Sequence, residues 1–336
     1  MRNCSVGVAQ GDDVGFETSI YNNTILLGEY KNPIEIGKDQ CHYRGIIGKK
    51  HVGPADVYKY DYEETEFNHP MLQVARNITN MKLLVREFFA TNASMPFLLY
   101  IGFNDCHRCP ENKFGDFCEK FGNGQPEYGV IPDWKPQYYD PAEVIVPPFL
   151  PDTLATRGDI ANQYTVMSRL DAGIGMLLDE LESHGYLDNT LIMYTADNGI
   201  PFPNAKTNLY ESGMGEPYLV SSPVDRSRWG QVSDAFASTT DILPTVLDWL
   251  VVPFPTYKLQ GVTVTLTGKS LLPVTHAEPA SGFDQVFSSH NFHEVYMYYP
   301  MRVIRDKQYR LLHNLNYYAP YPLATIFMTT QHSRIS

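Results

Sequence analysis

Apolar residues recur at three- and four-residue spacing at Ile160, Tyr164, Met167, Leu170, Ile174, Leu177 and Leu181. That stripe predicts an amphipathic helix. His184-Gly185 supplies its stop, because glycine readily takes the left-handed conformation that closes a helix. Asp188-Asn189 then turns the chain, and 190–195 is a short apolar run suited to a buried strand. Helix followed by buried strand predicts a parallel α/β sheet. The continuous apolar run 96–103 predicts a second buried parallel strand. Within 71–91, Leu72, Ala75, Ile78, Leu83 and Phe88 fall near one helical face. Another helix is predicted over 238–250, where Thr239-Thr240-Asp241 offers a cap and Pro244 is tolerated in the first turn. From about Val286 the pattern turns to β, with strands near 295–299, 302–304 and 309–313. The start is less regular: 5–9 reads as a poor strand, and 25–44 has no clear period. Residues 104–158, rich in Pro, Gly, Tyr and Asp, read as a long loop region. Loops this long in a compact domain are usually functional. The expected fold class is therefore α/β: a mostly parallel sheet flanked by helices over 1–280, followed by the start of a smaller antiparallel β region over 281–336.

Composition narrows the function classes. The chain has 336 residues, 43% of them hydrophobic and 19% charged. That supports a large folded core and excludes disordered or collagen-like classes. A net charge of −12, from 26 basic and 38 acidic side chains, argues against nucleic acid as a partner. It leaves room for an anionic substrate, because a few local cations set the field of a pocket. No apolar run reaches the roughly 18–20 residues that span a bilayer, so no membrane partner is expected. The first residues, Met1 to Gly7, lack the apolar stretch of a signal peptide. N-x-S/T sequons at Asn3, Asn22, Asn77 and Asn92 nevertheless suggest a secretory history, with Asn22 and Asn77 the chosen glycosylation candidates. Five cysteines leave one unpaired. A disulfide between Cys109 and Cys118 is expected, with free buried thiols as the alternative.

Polar clusters follow several of the apolar strands. Asp12-Asp13 follow 6–9, and Lys49-Lys50-His51 follow 45–48. Asn104-Asp105-Cys106-His107 follow 96–103, and Asp197-Asn198 follow 191–195. Ligands of open α/β sheets bind beyond the carboxyl ends of the strands. Strands sharing one parallel sheet would thus bring all four clusters to one site. Asp12, Asp13, Asp197 and Asn198 offer only hard oxygen donors, which suit Ca²⁺ (Mg²⁺ less well) over zinc. Lys49 and His51 face the same way on an extended segment. His107 is a candidate proton donor, and Lys206 a candidate anion clamp. Each cluster also has a plain reading. Asp12-Asp13 and Asp197-Asn198-Gly199 are common turn sequences, and Lys49-Lys50 is a common solvated pair. Only their ordered combination is specific.

That combination resembles the sulfatases of the alkaline phosphatase superfamily. The resemblance is carried by Gly11-Asp12-Asp13-Val14-Gly15-Phe16, by Gly48-Lys49-Lys50-His51-Val52-Gly53, and by the run from Asp188 to Gly199 that ends Thr195-Ala196-Asp197-Asn198-Gly199. Within that family it is most similar to the branch that cleaves sulfamates, notably over 45–54, 117–124, 198–203 and Tyr299-Pro300-Met301-Arg302. It implies a sulfatase/alkaline phosphatase-like fold, Ca²⁺ on Asp12, Asp13, Asp197 and Asn198, and a lysosomal location. It implies that Lys49 and His51 stabilise the nucleophile and the sulfuryl oxygens, that Lys206 clamps sulfate, and that His107 protonates the leaving amine. The implied substrate is a heparan sulfate-derived N-sulfated glucosaminide, and a homodimer is carried as the assembly.

The departure concerns the nucleophile. Sulfatases use a formylglycine made from the first residue of a Cys/Ser-x-Pro-x-Arg motif, and this sequence contains none. Cys4, Cys41, Cys106, Cys109 and Cys118 all lack Pro two residues on and Arg four residues on, and Ser222-Pro223 does not fit either. The resemblance breaks between about Asn23 and Arg44, where the family has a much longer segment. The expectation is a sulfatase framework that is inactive as written. A non-catalytic isoform, an incomplete gene model and a superfamily phosphatase or phosphodiesterase are the alternatives.

Overall fold

The computed structural model describes residues 6–10, 43–52, 55, 58–91, 95–108, 117–259, 261–293 and 297–320. Among them, six strands form one sheet in the order β3-β2-β4-β1-β5-β6. The strands are β1 (Val6–Gln10), β2 (Tyr43–Gly48), β3 (Tyr62–Thr65), β4 (Phe97–Phe103), β5 (Ile192–Ala196) and β6 (Tyr218–Ser221). β1 to β5 pair in parallel, and β6 runs antiparallel at the edge beside β5. The poor strand expected at 5–9 is thus met by a central one, β1, contrary to its poor appearance. Alternation is a poor guide to a strand that is paired on both sides within a parallel sheet.

Helices pack on the sheet where their apolar stripes predict. The stretch 71–91 is two helices, α1 (Met71–Ala75) and α2 (Ile78–Thr91), parted at Arg76 and Asn77. The Asn77 carboxamide oxygen accepts from the Asn80 N–H (3.2 Å) and caps α2. This break rotates the second helix, so Ile78, Met81, Val85, Phe88 and Phe89 are buried while Leu83 is exposed. Leu83 was expected on the buried face, and the restart at Asn77 is the reason it is not. The long amphipathic stripe is α3 (Leu154–Ser183), capped by Thr153 at its start and by His184 at its end. Gly185 follows at φ +73°. Leu170, Leu177 and Leu181 join α2 and β4 in the main apolar core. α4 (Ile242–Leu250) begins after a capping box in which Ser238 and Asp241 satisfy each other's backbone. Its Trp249 packs on Leu191 and Met193 from the other face of the sheet.

The β pattern after residue 285 is a separate antiparallel sheet, β7 (Gln285–His293), β8 (Met297–Asp306) and β9 (Arg310–Asn314), with β8 in the middle. It leans on the loop after β5. Tyr299, Met301 and Val303 pack with Leu209, Arg310 donates to the Leu209 carbonyl (2.8 Å), and Arg305 and Arg310 both pair with Glu211. No helix among the described residues is long and apolar enough to cross a membrane.

Candidate active site

The parallel order brings the ends of β2, β4, β1 and β5 to one edge of the sheet. Two glycines let the first pair converge. A Cβ on Gly48 would lie 2.0 Å from the Gly102 carbonyl oxygen, and one on Gly102 would lie 2.3 Å from that of Lys49. Gly48 also sits at φ +97°, which L side chains rarely adopt. The Lys49 N–H donates to the Gly102 carbonyl at 2.8 Å, so Lys49 leaves β2 beside the last residues of β4.

Lys49 and Lys50 are both buried, which rules out a solvated pair. Their partners differ. The Lys50 ammonium is held by both carboxylate oxygens of Glu63 at 2.8 Å and is structural. The Lys49 charge acts on Asp197 and favours its ionised form. His51 follows at φ +45°, a left-handed position for a non-glycine residue. Burial lowers the His51 pKa, Glu66 opposes that shift, and Lys206 adds to it.

His107 hangs on the loop after β4. Its N–H donates to the Asn104 carbonyl (2.8 Å), and its own carbonyl accepts from Arg76 (2.9 Å). Its Nδ1 lies 2.5 Å from the Arg108 carbonyl oxygen. A carbonyl only accepts, so Nδ1 carries the hydrogen and Nε2 is the basic nitrogen. Burial pushes the His107 pKa down to about 4, helped by the neighbouring positive charges of Lys206 and Arg108.

Asp197 and Asn198 follow β5. Gly199 permits the tight return, since a Cβ there would meet the Ser212 carbonyl oxygen at 1.9 Å. The Lys206 N–H donates to the Ile200 carbonyl (3.1 Å). Asn204 and Thr207 on either side of Lys206 take left-handed conformations. Burial pushes the Asp197 carboxyl up to about 8, against the pull of Lys49 and Lys206, while Glu216 adds repulsion. The Asn198 amide donates to the Gly199 carbonyl (2.9 Å), and its buried carboxamide oxygen accepts no hydrogen bond. Five of the residues singled out from sequence thus share one site: Lys49, His51, His107, Asp197 and Lys206, with Asn198 adjoining. Asp12 and Asp13 lie outside the described residues, as do Asn22 and Cys109. Cys118 is disulfide-bonded. Among the described residues no group of three or more His, Cys, Asp or Glu side chains is gathered to hold a metal.

The structure adds residues that the sequence did not single out. Asp105 is fully buried between Arg76 and Arg169, beneath the His107 loop. Glu66 accepts two backbone N–H groups beside Lys49. The Glu216 carboxyl, raised to about 8 by burial, stands near Asp197. The hydrogen-bond partners of Asp105 and Glu66 are 15 or more positions away, and no local motif announces such pairs.

The carboxyl edge of a mostly parallel α/β sheet thus gathers two lysines, two histidines and an Asp-Asn pair. Residues 44–252 match the family described as Sulfatase, and the chain belongs to that family. It is 53% identical over 282 residues to N-sulphoglucosamine sulphohydrolase of Homo sapiens, a match covering 83% of this chain and 56% of that protein. The chain therefore spans about half the length of that relative. It is 27% identical to Arylsulfatase K of Xenopus laevis, over 60% of this chain and 39% of that one. Two solved structures share its fold. One, determined with its substrate D-glucosamine-2-N,6-O-disulfate, superposes with a TM-score of 0.63 at 15% identity, covering 96% of this chain and 91% of that one. The other, the phosphonate monoester hydrolase of Agrobacterium radiobacter, gives 0.60 at 13% identity, covering 93% and 87%. These bear out the expected sulfatase/alkaline phosphatase-like α/β fold with its C-terminal antiparallel sheet.

Proposed function

We propose that this chain carries the anion-recognising framework of a lysosomal sulfamidase, whose substrate is a heparan sulfate-derived N-sulfated glucosaminide. The observation that carries the reading is the placement of Lys206, whose charge acts on Asp197, His51 and His107 together. In this reading Lys49 and Lys206 hold sulfuryl oxygens, and His51 adds a hydrogen bond to them. His107 delivers a proton from Nε2 to the leaving amine, with Nδ1 anchored on the Arg108 carbonyl. The choice of sulfamate over a sulfate ester rests on the 53% identity to the human sulfamidase, because a fold alone does not select a substrate.

The donor set fits a hard cation. Asn198 presents a buried oxygen with no hydrogen-bond donor, and Asp197 is a carboxyl that burial keeps protonated until a cation compensates it. With Asp12 and Asp13 they would hold Ca²⁺, which takes six to eight oxygens, more readily than octahedral Mg²⁺. Once bound, the cation supplies charge neutralisation at the sulfuryl oxygens. The absence of a Cys/Ser-x-Pro-x-Arg motif leaves no residue to become the formylglycine. The proposal is therefore a binding-competent site without turnover. Asn77 and Asn22 are its proposed glycosylation sites.

Calorimetry on the whole chain tests this reading. Sulfate is expected to bind, and Lys206→Ala to weaken it about tenfold, a loss of roughly 1.4 kcal/mol for one charge-assisted contact. Ca²⁺ is expected to bind in the millimolar range, on the order of the weakest extracellular calcium modules, and not at all to Asp197→Ala. N-sulfated glucosamine is expected to release no sulfate. Equal sulfate binding by the parent and Lys206→Ala overturns the anion site. Micromolar Ca²⁺ affinity overturns the weakened cage, and sulfate release above background overturns the missing nucleophile.

A further inference from the structure

We infer that Glu66 is a positioning residue for the sulfate-binding strand end: its carboxylate clamps the backbone N–H groups of Lys50 and His51 and so aims Lys49 and His51 at the anion. The inference rests on the sulfate-site reading above and extends it to a residue in which no family motif is involved. β3 pairs in parallel with β2, and the last pair in the register is Gly48 with Thr65. Glu66 is the next residue, so it emerges at the site edge just as β2 gives way to Lys49. One carboxylate oxygen accepts from Lys50 N–H at 2.8 Å and the other from His51 N–H at 3.0 Å. These are the two donors that β2 loses when it leaves the sheet, and both are charge-assisted bonds.

The clamp answers a specific local need. His51 is held at φ +45°, a conformation unfavourable to a non-glycine residue that persists only where surroundings over-determine it. The Lys49 N–H is fixed from the other side by Gly102, and the Lys50 side chain by Glu63. Glu66 closes the remaining freedom, so that three consecutive residues are set from β4 on one side and from β3 and the residue after it on the other. Glu66 itself is seated in a built turn. Asn68 accepts from the Thr65 N–H at 2.7 Å, and the N–H groups of Asn68 and His69 donate back to the Thr65 carbonyl. The carboxylate thereby acts through the backbone on the two side chains that face the anion. Its negative charge also bears on the His51 imidazole, in opposition to Lys206.

The test uses the whole chain, with inorganic sulfate as probe and Glu64→Gln as control, since Glu64 pairs with His69. Glu66→Gln keeps one acceptor but sets an NH₂ against one of the two N–H groups. Sulfate affinity is expected to fall about tenfold, with the thermal midpoint close to the parent's. The ¹⁵N–¹H resonances of Lys50 and His51 should move upfield as their charge-assisted bonds are lost, and the control should change neither. Unaltered sulfate affinity in folded Glu66→Gln overturns the positioning role while leaving the sulfate site standing. Absence of sulfate binding by the parent overturns the sulfate site and the positioning role with it. Hydrogen exchange on the parent needs no variant. The Lys50 and His51 amides, beyond the last strand pair, are expected to be protected at least tenfold over their unstructured rates. Exchange at the unstructured rate overturns the clamp even if Glu66→Gln does not fold.

Discussion

Replacing Asp105 by alanine is expected to destabilise the protein by about 3–5 kcal/mol, the range for removing one partner of a buried ion pair. Asp105 is fully buried and lies between two arginines that are equally so. Arg169 meets its carboxylate through two bonds, of 2.7 and 2.9 Å, and Arg76 bonds the same carboxylate. Arg169 reaches on to the carbonyls of Phe121 (2.8 Å) and Cys118 (3.0 Å), and its guanidinium lies 4.7 Å from the Trp134 ring centre. Arg76 reaches the His107 carbonyl. The triad thus ties α1 and α3 to the loop that presents His107. Alanine would leave two positive charges in the core with no counter-charge, and burial already disfavours the charged form of Arg76. Urea denaturation monitored by circular dichroism gives the value. Domains are stable by only about 5–15 kcal/mol, so the midpoint should move clearly. Removing all three charges together, as Arg76→Met, Asp105→Leu and Arg169→Met, is expected to cost less than Asp105→Ala alone. A loss under about 1 kcal/mol for Asp105→Ala would show that the triad does not hold the loop.

That triad illustrates where the sequence could be read and where it could not. The stripe from Ile160 to Leu181 and the run 96–103 announced α3 and β4, because their periodicities are local. The site residues Lys49, His51, His107, Asp197 and Lys206 were legible from their order after apolar strands, since parallel strands deliver their ends to one edge. Asp105 sat in plain view beside His107, yet its partners lie 29 and 64 positions away. Arg169 interrupts an otherwise apolar helix face and reads as a surface charge until the loop carboxylate is placed under it. Glu66 is silent for the same reason: a carboxylate that grips backbone N–H groups leaves no pattern in side-chain types. β1 failed for the opposite cause. Its five residues, Val-Gly-Val-Ala-Gln, are too small and too mixed to signal a strand, and only pairing on both sides makes them one.

Sulfate affinity is expected to rise steeply as pH falls from 6.5 towards 4, by up to tenfold per pH unit, and His107→Gln is expected to remove most of that slope. The His107 pKa stands at about 4 in the protein without anion, against about 6.5 for an ordinary histidine. The unfolded chain therefore takes up the proton first. The stability associated with neutral His107 is fully present above pH 6.5 and is lost as pH falls towards 4, reaching a cost of about 2 kcal/mol at pH 5. An anion beside Lys206 reverses the balance, because its charge offsets that of Lys206 and favours the imidazolium. Sulfate binding then brings a proton to Nε2, because Nδ1 already carries the hydrogen that meets the Arg108 carbonyl. Linkage makes binding tighter as the proton becomes available. His51, also lowered by burial and Lys206 but supported by Glu66, contributes a smaller part that His107→Gln leaves in place. Asp197, at about 8, is already largely protonated across this range when calcium is removed, so it adds little slope. Calorimetric titrations with sulfate in a calcium chelator, at half-unit steps from pH 7 to 4.5, measure the effect. A flat profile in the parent, or an unchanged slope in folded His107→Gln, would mean that His107 does not receive the proton. A slope that His107→Gln abolishes would place on Nε2 the proton that a departing amine requires.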